Sequence, residues 1–179
     1  MRVRIRRTGV GLALYALACS PGDAARDSES VPQAEQMVPD ILATNAFYYY
    51  EDVESAWRFY TDVMGFETAA DYGFAKIMRI ATTSYLTLVD AESGMHSADE
   101  PKTVAIALIT DQLDEWYEYL SDRLVPLRGG YNPVAGRPHG GFVAYDPEGY
   151  YLEFERFNPH AENERLMPIL DSLETIYTE

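Results

Sequence analysis

The chain has 179 residues, with 14 basic against 29 acidic side chains, a formal charge of −15, and a hydrophobic content of 47%. That length and apolar fraction suit one globular domain with appendages. A surface so acidic repels phosphate backbones, which argues against nucleic-acid binding.

The N-terminus reads as a targeting segment. Arg2, Arg4, Arg6 and Arg7 precede an apolar run, Val10-Gly11-Leu12-Ala13-Leu14-Tyr15-Ala16-Leu17-Ala18, which ends at Cys19. A helical membrane span needs about 20 apolar residues, so this run suits a secretory signal better than an anchor. Without residues 1–18 the balance becomes 10 basic to 29 acidic residues, a net charge of −19. Cys19 is the only cysteine, so the chain makes no internal disulfide. Ala16-Leu17-Ala18-Cys19 resembles the lipobox of bacterial lipoproteins, although Ala16 stands where Leu is usual. The resemblance implies lipidation of Cys19 and attachment to the cell envelope, at the outer membrane or its periplasmic face, a sorting that Ser20 also resembles. Arg6-Arg7 resembles a twin-arginine signal in that pair alone. The alternative is an ordinary signal peptide, cut near Ala18 or Ala25, and a secreted protein. Residues 19–40 are rich in Ser, Pro, Asp, Glu and Gln and read as a tether.

The folded part is expected from about residue 41. Ile41–Tyr50 reads as a strand ending in Phe47-Tyr48-Tyr49-Tyr50. Asp52 is expected to cap a helix whose apolar positions, Val53, Ala56, Trp57, Tyr60, Val63 and Met64, recur at three- and four-residue spacing. Gly65 ends that helix. Three short strands follow around 66–72, 74–81 and 84–90, and a polar loop over Asp90–Pro101. The pattern then repeats. Thr103–Thr110 reads as a strand, Asp111 as the cap of a helix carrying Leu113, Trp116, Tyr117 and Leu120, and strands are expected around 124–129, 140–145 and 150–156. A Gly- and Pro-rich loop spans 129–141. Asp146-Pro147-Glu148-Gly149 is a tight-turn sequence. In the strand after it, Leu152 and Phe154 share one face, and Tyr151, Glu153 and Glu155 share the other. Beyond Pro159 lies a tail, 158–179, in which Pro168 opens a final helix with Leu170, Leu173 and Ile176 in one stripe.

Each half is thus a βαβββ module of about 55 residues. The segment Asp52-Val53-Glu54-Ser55-Ala56-Trp57-Arg58-Phe59-Tyr60 running to Met64-Gly65-Phe66, together with Asp146-Pro147-Glu148-Gly149 and Glu153, resembles the vicinal oxygen chelate superfamily. That superfamily includes glyoxalase I, bleomycin-resistance proteins, epimerases and extradiol dioxygenases. The resemblance covers about residues 41–157, with modules near 41–95 and 101–157. It implies an α+β fold of two βαβββ modules, an eight-stranded incomplete barrel around a cavity, with the C-terminal helix added.

Metal-dependent relatives take ligands from the first and last strands of each module. Those positions fall on Asn45, Thr87, Ala105 and Glu153. Ala105 has no donor atom, Asn45 is a poor ligand for Zn, Ni or Fe(II), and one carboxylate does not hold a transition metal. No cofactor is therefore expected, with a divalent metal kept as the alternative. Asn45, Phe47, Tyr49, Thr87 and Ala105 become candidate ligand-binding residues. Glu153 is a candidate base or hydrogen-bond acceptor. His139, with Arg137 in the mobile Gly-rich loop, is a candidate assistant. The competing readings are core-filling aromatics, a structural Glu153 and an exposed loop histidine. His96 and His160 receive no role.

Three functions remain open. One is an envelope-anchored, metal-independent domain that binds a small, partly aromatic molecule, as in the bleomycin-resistance branch, where a homodimer is usual. The second is a lyase, isomerase or dioxygenase using Glu153 and His139. The third is a non-catalytic envelope interaction module that docks through its tail.

Overall fold

The computed structural model describes residues 40–131 and 136–173. Cys19, the signal and tether segments before residue 40, and Ile176 lie outside the described residues. The chain builds two sheets in succession. The first module contains β1 (Thr44–Tyr50), α1 (Val53–Arg58), β2 (Glu67–Asp71), β3 (Ala75–Ala81) and β4 (Ser84–Asp90). Its strands lie in the order β1-β4-β3-β2, with β1 parallel to β4 and the other pairs antiparallel. The second module contains β5 (Ala105–Ile109), α2 (Leu113–Asp122), β6 (His139–Tyr145) and β7 (Tyr151–Phe157). Its order is β5-β7-β6, with β5 parallel to β7.

The strand expected around 124–129 shrinks to a single bridge between Leu127 and Ala144. Arg128 N donates to Val143 O at 2.8 Å and Tyr145 N to Pro126 O at 2.9 Å, and the pairing stops there. Pro126 has no amide for a ladder, and Leu124 takes φ 57°, which turns the chain out of extended geometry. The described residues thus form sheets of four and three strands with helices packed on them, a mixed α+β architecture consistent with an incomplete barrel.

Asp52 caps α1 as its sequence suggests, its Oδ1 accepting from Ser55 N at 2.9 Å. Ala56, Tyr60 and Met64, four residues apart, are all buried. The helix then widens into a π turn over Phe59–Val63, where Met64 N reaches back five residues to Phe59 O at 3.1 Å. The second helix starts one residue later than a cap at Asp111 requires. Gln112 is the capping residue and makes no side-chain cap bond, while Thr110 Oγ1 accepts from Gln112 N at 3.1 Å. Leu113 and Leu120 are buried, and Trp116 and Tyr117 pack on the Phe154 and Phe142 rings at 5.1 and 5.3 Å. The tail is tied down by Asn163, buried, whose amide donates to Pro138 O at 2.6 Å and Asn158 O at 2.8 Å. The final helix, α3 (Met167–Leu170), has Pro168 at its start, but Leu173 beyond it is exposed.

The two modules are joined by the Asp146 turn. The Asp146 carboxylate is buried. Its Oδ2 accepts from Tyr50 Oη at 2.7 Å and Tyr60 Oη at 3.1 Å, and its Oδ1 from Tyr150 N at 2.8 Å and Glu148 N at 3.0 Å. Burial raises the Asp146 pKa, and these hydrogen bonds pull it back. Glu148 reaches the start of α1, where its two carboxylate oxygens accept from Glu51 N at 3.1 Å and Asp52 N at 2.9 Å. Gly149 takes φ 87°, which a side chain would resist, and so closes the turn. Tyr150 stacks on Tyr48 at 4.0 Å; its hydroxyl accepts from Tyr49 N at 2.9 Å and donates to Tyr49 O at 3.1 Å. Two sequence motifs nearly ninety positions apart are therefore halves of one buried hydrogen-bonded joint.

Candidate functional site

In each sheet one face packs on a helix and the other turns away from it. Period two places Asn45, Phe47 and Tyr49 of β1 on the latter face of the first sheet, and Ala105, Ala107 and Glu153 on that of the second. Within the first sheet Asn45 and Thr87 close on each other. Asn45 Nδ2 donates to Thr87 Oγ1 at 2.9 Å, and Thr87 Oγ1 donates to Asn45 Oδ1 at 3.0 Å. Thr87 is buried and Asn45 exposed. In the second sheet Ala107 pairs with Glu153 and Ala105 with Tyr151. Glu153 is half-buried and Ala105 exposed.

These four positions do not fit a transition-metal centre. Ala105 offers nothing, and the amide and hydroxyl of Asn45 and Thr87 satisfy each other. A single carboxylate then remains, where such ions take three or four nitrogen, sulfur or carboxylate donors. Among the described residues no group of three or more His, Cys, Asp or Glu side chains is placed to hold a metal.

His139 meets Glu155 rather than Glu153. Its Nδ1 lies 3.4 Å from Glu155 Oε1. The β6–β7 register explains the choice. His139 lies opposite Phe157, Gly141 opposite Glu155 and Val143 opposite Glu153. His139 is thus four residues, or about 13 Å along the strand, from the position facing Glu153. Burial raises the Glu155 pKa, the charge of Glu153 raises it further, and His139 lowers it. A Cβ at Gly141 would lie 2.0 Å from Phe154 O, so only glycine permits this strand approach. Arg137, exposed, meets its neighbours through its backbone, where its carbonyl accepts from Asn158 Nδ2 at 3.0 Å.

A cleft opens where the modules meet. Phe47 and Tyr49 of β1, Tyr150 and the loop residues His96, Ser97 and Glu100–Val104 line a cavity of about 280 Å³. The loop after β4 folds back across Tyr49: a Cβ at Gly94 would lie 2.7 Å from that ring, and His96 meets it edge-on at 5.0 Å. His96 Nδ1 contacts Glu100 Oε2 at 3.0 Å, and Ser97 N donates to Glu100 Oε1 at 3.1 Å. Those contacts lower the Glu100 pKa, the Ser97 amide most. Lys102 Nζ donates to Ala98 O at 3.0 Å and lies 5.1 Å over the Tyr150 ring. Of this lining, sequence reasoning named Phe47 and Tyr49 and gave His96 no role. The loop reads as polar spacer, and its return over β1 has no local signal.

The family model described as the glyoxalase/bleomycin resistance protein/dioxygenase superfamily matches residues 40–154. The chain belongs to that superfamily. Solved structures share its fold. A glyoxalase/bleomycin resistance protein/dioxygenase from Nocardioides is 20% identical with a TM-score of 0.59, over 71% of this chain and 90% of the other. A lactoylglutathione lyase from Agrobacterium tumefaciens is 19% identical with a TM-score of 0.52, over 66% of this chain and 96% of the other. A virulence protein from Salmonella typhimurium is 17% identical with a TM-score of 0.54, over 68% of this chain and all of the other, at 100%. No curated protein matches the chain. At such identities the likeness concerns the fold, which in this superfamily hosts many chemistries.

Proposed function

We propose that this chain is a small-molecule-binding member of the superfamily that works without the usual metal centre, held at the cell envelope by a lipid on Cys19. The reciprocal Asn45–Thr87 hydrogen bonds carry the metal-independent part of this reading. Two of the positions that supply ligands in metal-dependent relatives are engaged with each other, and the third is an alanine. The aromatic cleft at Phe47, Tyr49 and Tyr150 supports binding of a small, partly aromatic molecule. A thermal-shift screen of aromatic small molecules on the wild type and on Phe47→Ala tests it. A compound that raises the melting temperature of the wild type and not of the variant is expected. A screen in which no small molecule stabilises the protein would remove the proposal. Mass spectrometry of the mature N-terminus tests the anchor, with a diacylglyceryl adduct on Cys19 expected.

The contact between His139 and Glu155 favours a second reading, a lyase, isomerase or dioxygenase. A carboxylate whose pKa is raised by burial beside a histidine suits proton transfer. In that reading Glu155 is the base, and Glu153 tunes it by charge. Loss of turnover in Glu155→Gln, with the fold intact, separates this reading from the first.

A further inference from the structure

Lys102 is one of only two lysines in the chain. The other, Lys76, is buried against Glu54 and Asp71 at 2.9 and 3.0 Å. Lys102 has no carboxylate within ion-pair distance among the described residues, in a protein with 29 acidic side chains. It is half-buried in the wall of the cleft. The Ala98 carbonyl takes one of its three N–H groups, and the Tyr150 ring supports its charge. The one acid of the lining, Glu100, is already committed to His96 and the Ser97 amide. A cation with donors to spare is thus held beside the aromatic rings of Phe47, Tyr49 and Tyr150 in a cleft of mixed polarity. Phe47 is 54% exposed, an apolar ring left facing solvent at the rim.

We infer that the ligand of this cleft is a small aromatic or conjugated carboxylate whose anionic end pairs with Lys102 while its ring lies against Phe47 and Tyr49. The inference rests on the small-molecule reading above and names its ligand class. Size agrees with it. An apolar cavity of about 150 Å³ accepts benzene, so a cleft of about 280 Å³ has space for one ring and a short acidic substituent. Charge agrees as well. A surface of this net sign repels anions at long range, so only a fixed cation inside the cleft selects for them. Lysine and carboxylate in a half-buried site form a hydrogen bond in which both partners are charged, whereas a neutral amide offers the ammonium an uncharged acceptor and a weaker bond.

The test uses trans-cinnamate and its neutral analogue trans-cinnamamide as probes. Each is titrated into the full chain, with binding read from amide shifts of cleft residues in two-dimensional NMR. Cinnamate is expected to bind at least about tenfold more tightly than the amide, a preference lost in Lys102→Met and kept in Lys102→Arg. Equal affinity for acid and amide, or a preference that survives Lys102→Met, overturns the carboxylate inference and leaves the cleft as a binding site. Failure of both probes to shift any cleft resonance overturns the inference, while the small-molecule reading stands or falls by the thermal-shift screen. If Lys102→Met does not fold, the acid–amide comparison on the wild type decides, read at Lys102 and Tyr150.

Discussion

Removing the Asp146 carboxylate is the sharpest perturbation of the joint between the modules. Asp146→Ala leaves four donors without their acceptor: the Tyr50 and Tyr60 hydroxyls and the Tyr150 and Glu148 amides. The Glu148 amide lies in a half-buried residue and can turn to water. Tyr50 Oη lies 3.2 Å from Tyr60 Oη and can turn its single proton there once Asp146 is gone. About two buried donors then stay unsatisfied, at roughly 1–3 kcal/mol each. Loss of the buried carboxylate also relieves its desolvation, which offsets part of this. A net destabilisation of about 2–4 kcal/mol follows, a large share of the 5–15 kcal/mol typical of a domain. Urea unfolding followed by circular dichroism measures it, with an unchanged m-value if the fold persists. Asp146→Asn keeps an oxygen for the two amides and costs less, about 1–2 kcal/mol. The pH dependence has a definite sign. Burial raises the folded-state pKa of Asp146 above its unfolded value. Its contribution is therefore most favourable below the ordinary aspartate range and is lost as pH rises through the raised folded value. Asp146→Asn removes that component. A stability within about 1 kcal/mol of wild type for Asp146→Ala would refute the idea that this carboxylate joins the modules.

Glu148→Ala removes the acceptor of the Glu51 and Asp52 amides at the start of α1. A loss of roughly 0.5–1.5 kcal/mol in the same unfolding assay is expected for these exposed bonds. Gly141→Ala forces a methyl group against Phe154 O, so soluble folded protein should be lost or its melting temperature should fall steeply. Gly130→Ala, with nothing within 4 Å of the new carbon, should be close to neutral. Glu153→Gln should lower the Glu155 pKa and His139→Ala should raise it, since Glu153 and His139 act on it in opposite directions. Carboxyl carbon-13 NMR titration reads both shifts, and unchanged values would mean that the three groups are not coupled.

Local chemistry made most of the fold legible. Asp52 and the four-residue spacing of Ala56, Tyr60 and Met64 specify α1, and Asp-Pro-Glu-Gly specifies the turn before β7. The strand expected near 127 failed because apolar content alone ignores the missing amide of Pro126 and the left-handed Leu124. The helix cap slipped from Asp111 to Gln112 because two polar residues in a row leave the start ambiguous by one position. Period two placed Glu153 and Glu155 on one face, but the partner of His139 depends on β6–β7 register, which Gly141 and its close approach help to set. Nothing local links Tyr60 to Asp146, since that bond exists only once both modules fold. Lys102 had one sequence signal, its rarity in an acidic chain, but its place over Tyr150 depends on the path of the loop after β4.

The metal content of the purified protein tests the central claim most directly. The protein is equilibrated with Zn(II), Ni(II), Mn(II) or anaerobic Fe(II), desalted, and assayed by elemental mass spectrometry beside Glu153→Ala. Metal-independent binding predicts far less than one ion per chain in both proteins, with cleft ligands still bound. One ion per chain in the wild type, lost in Glu153→Ala, would contradict it.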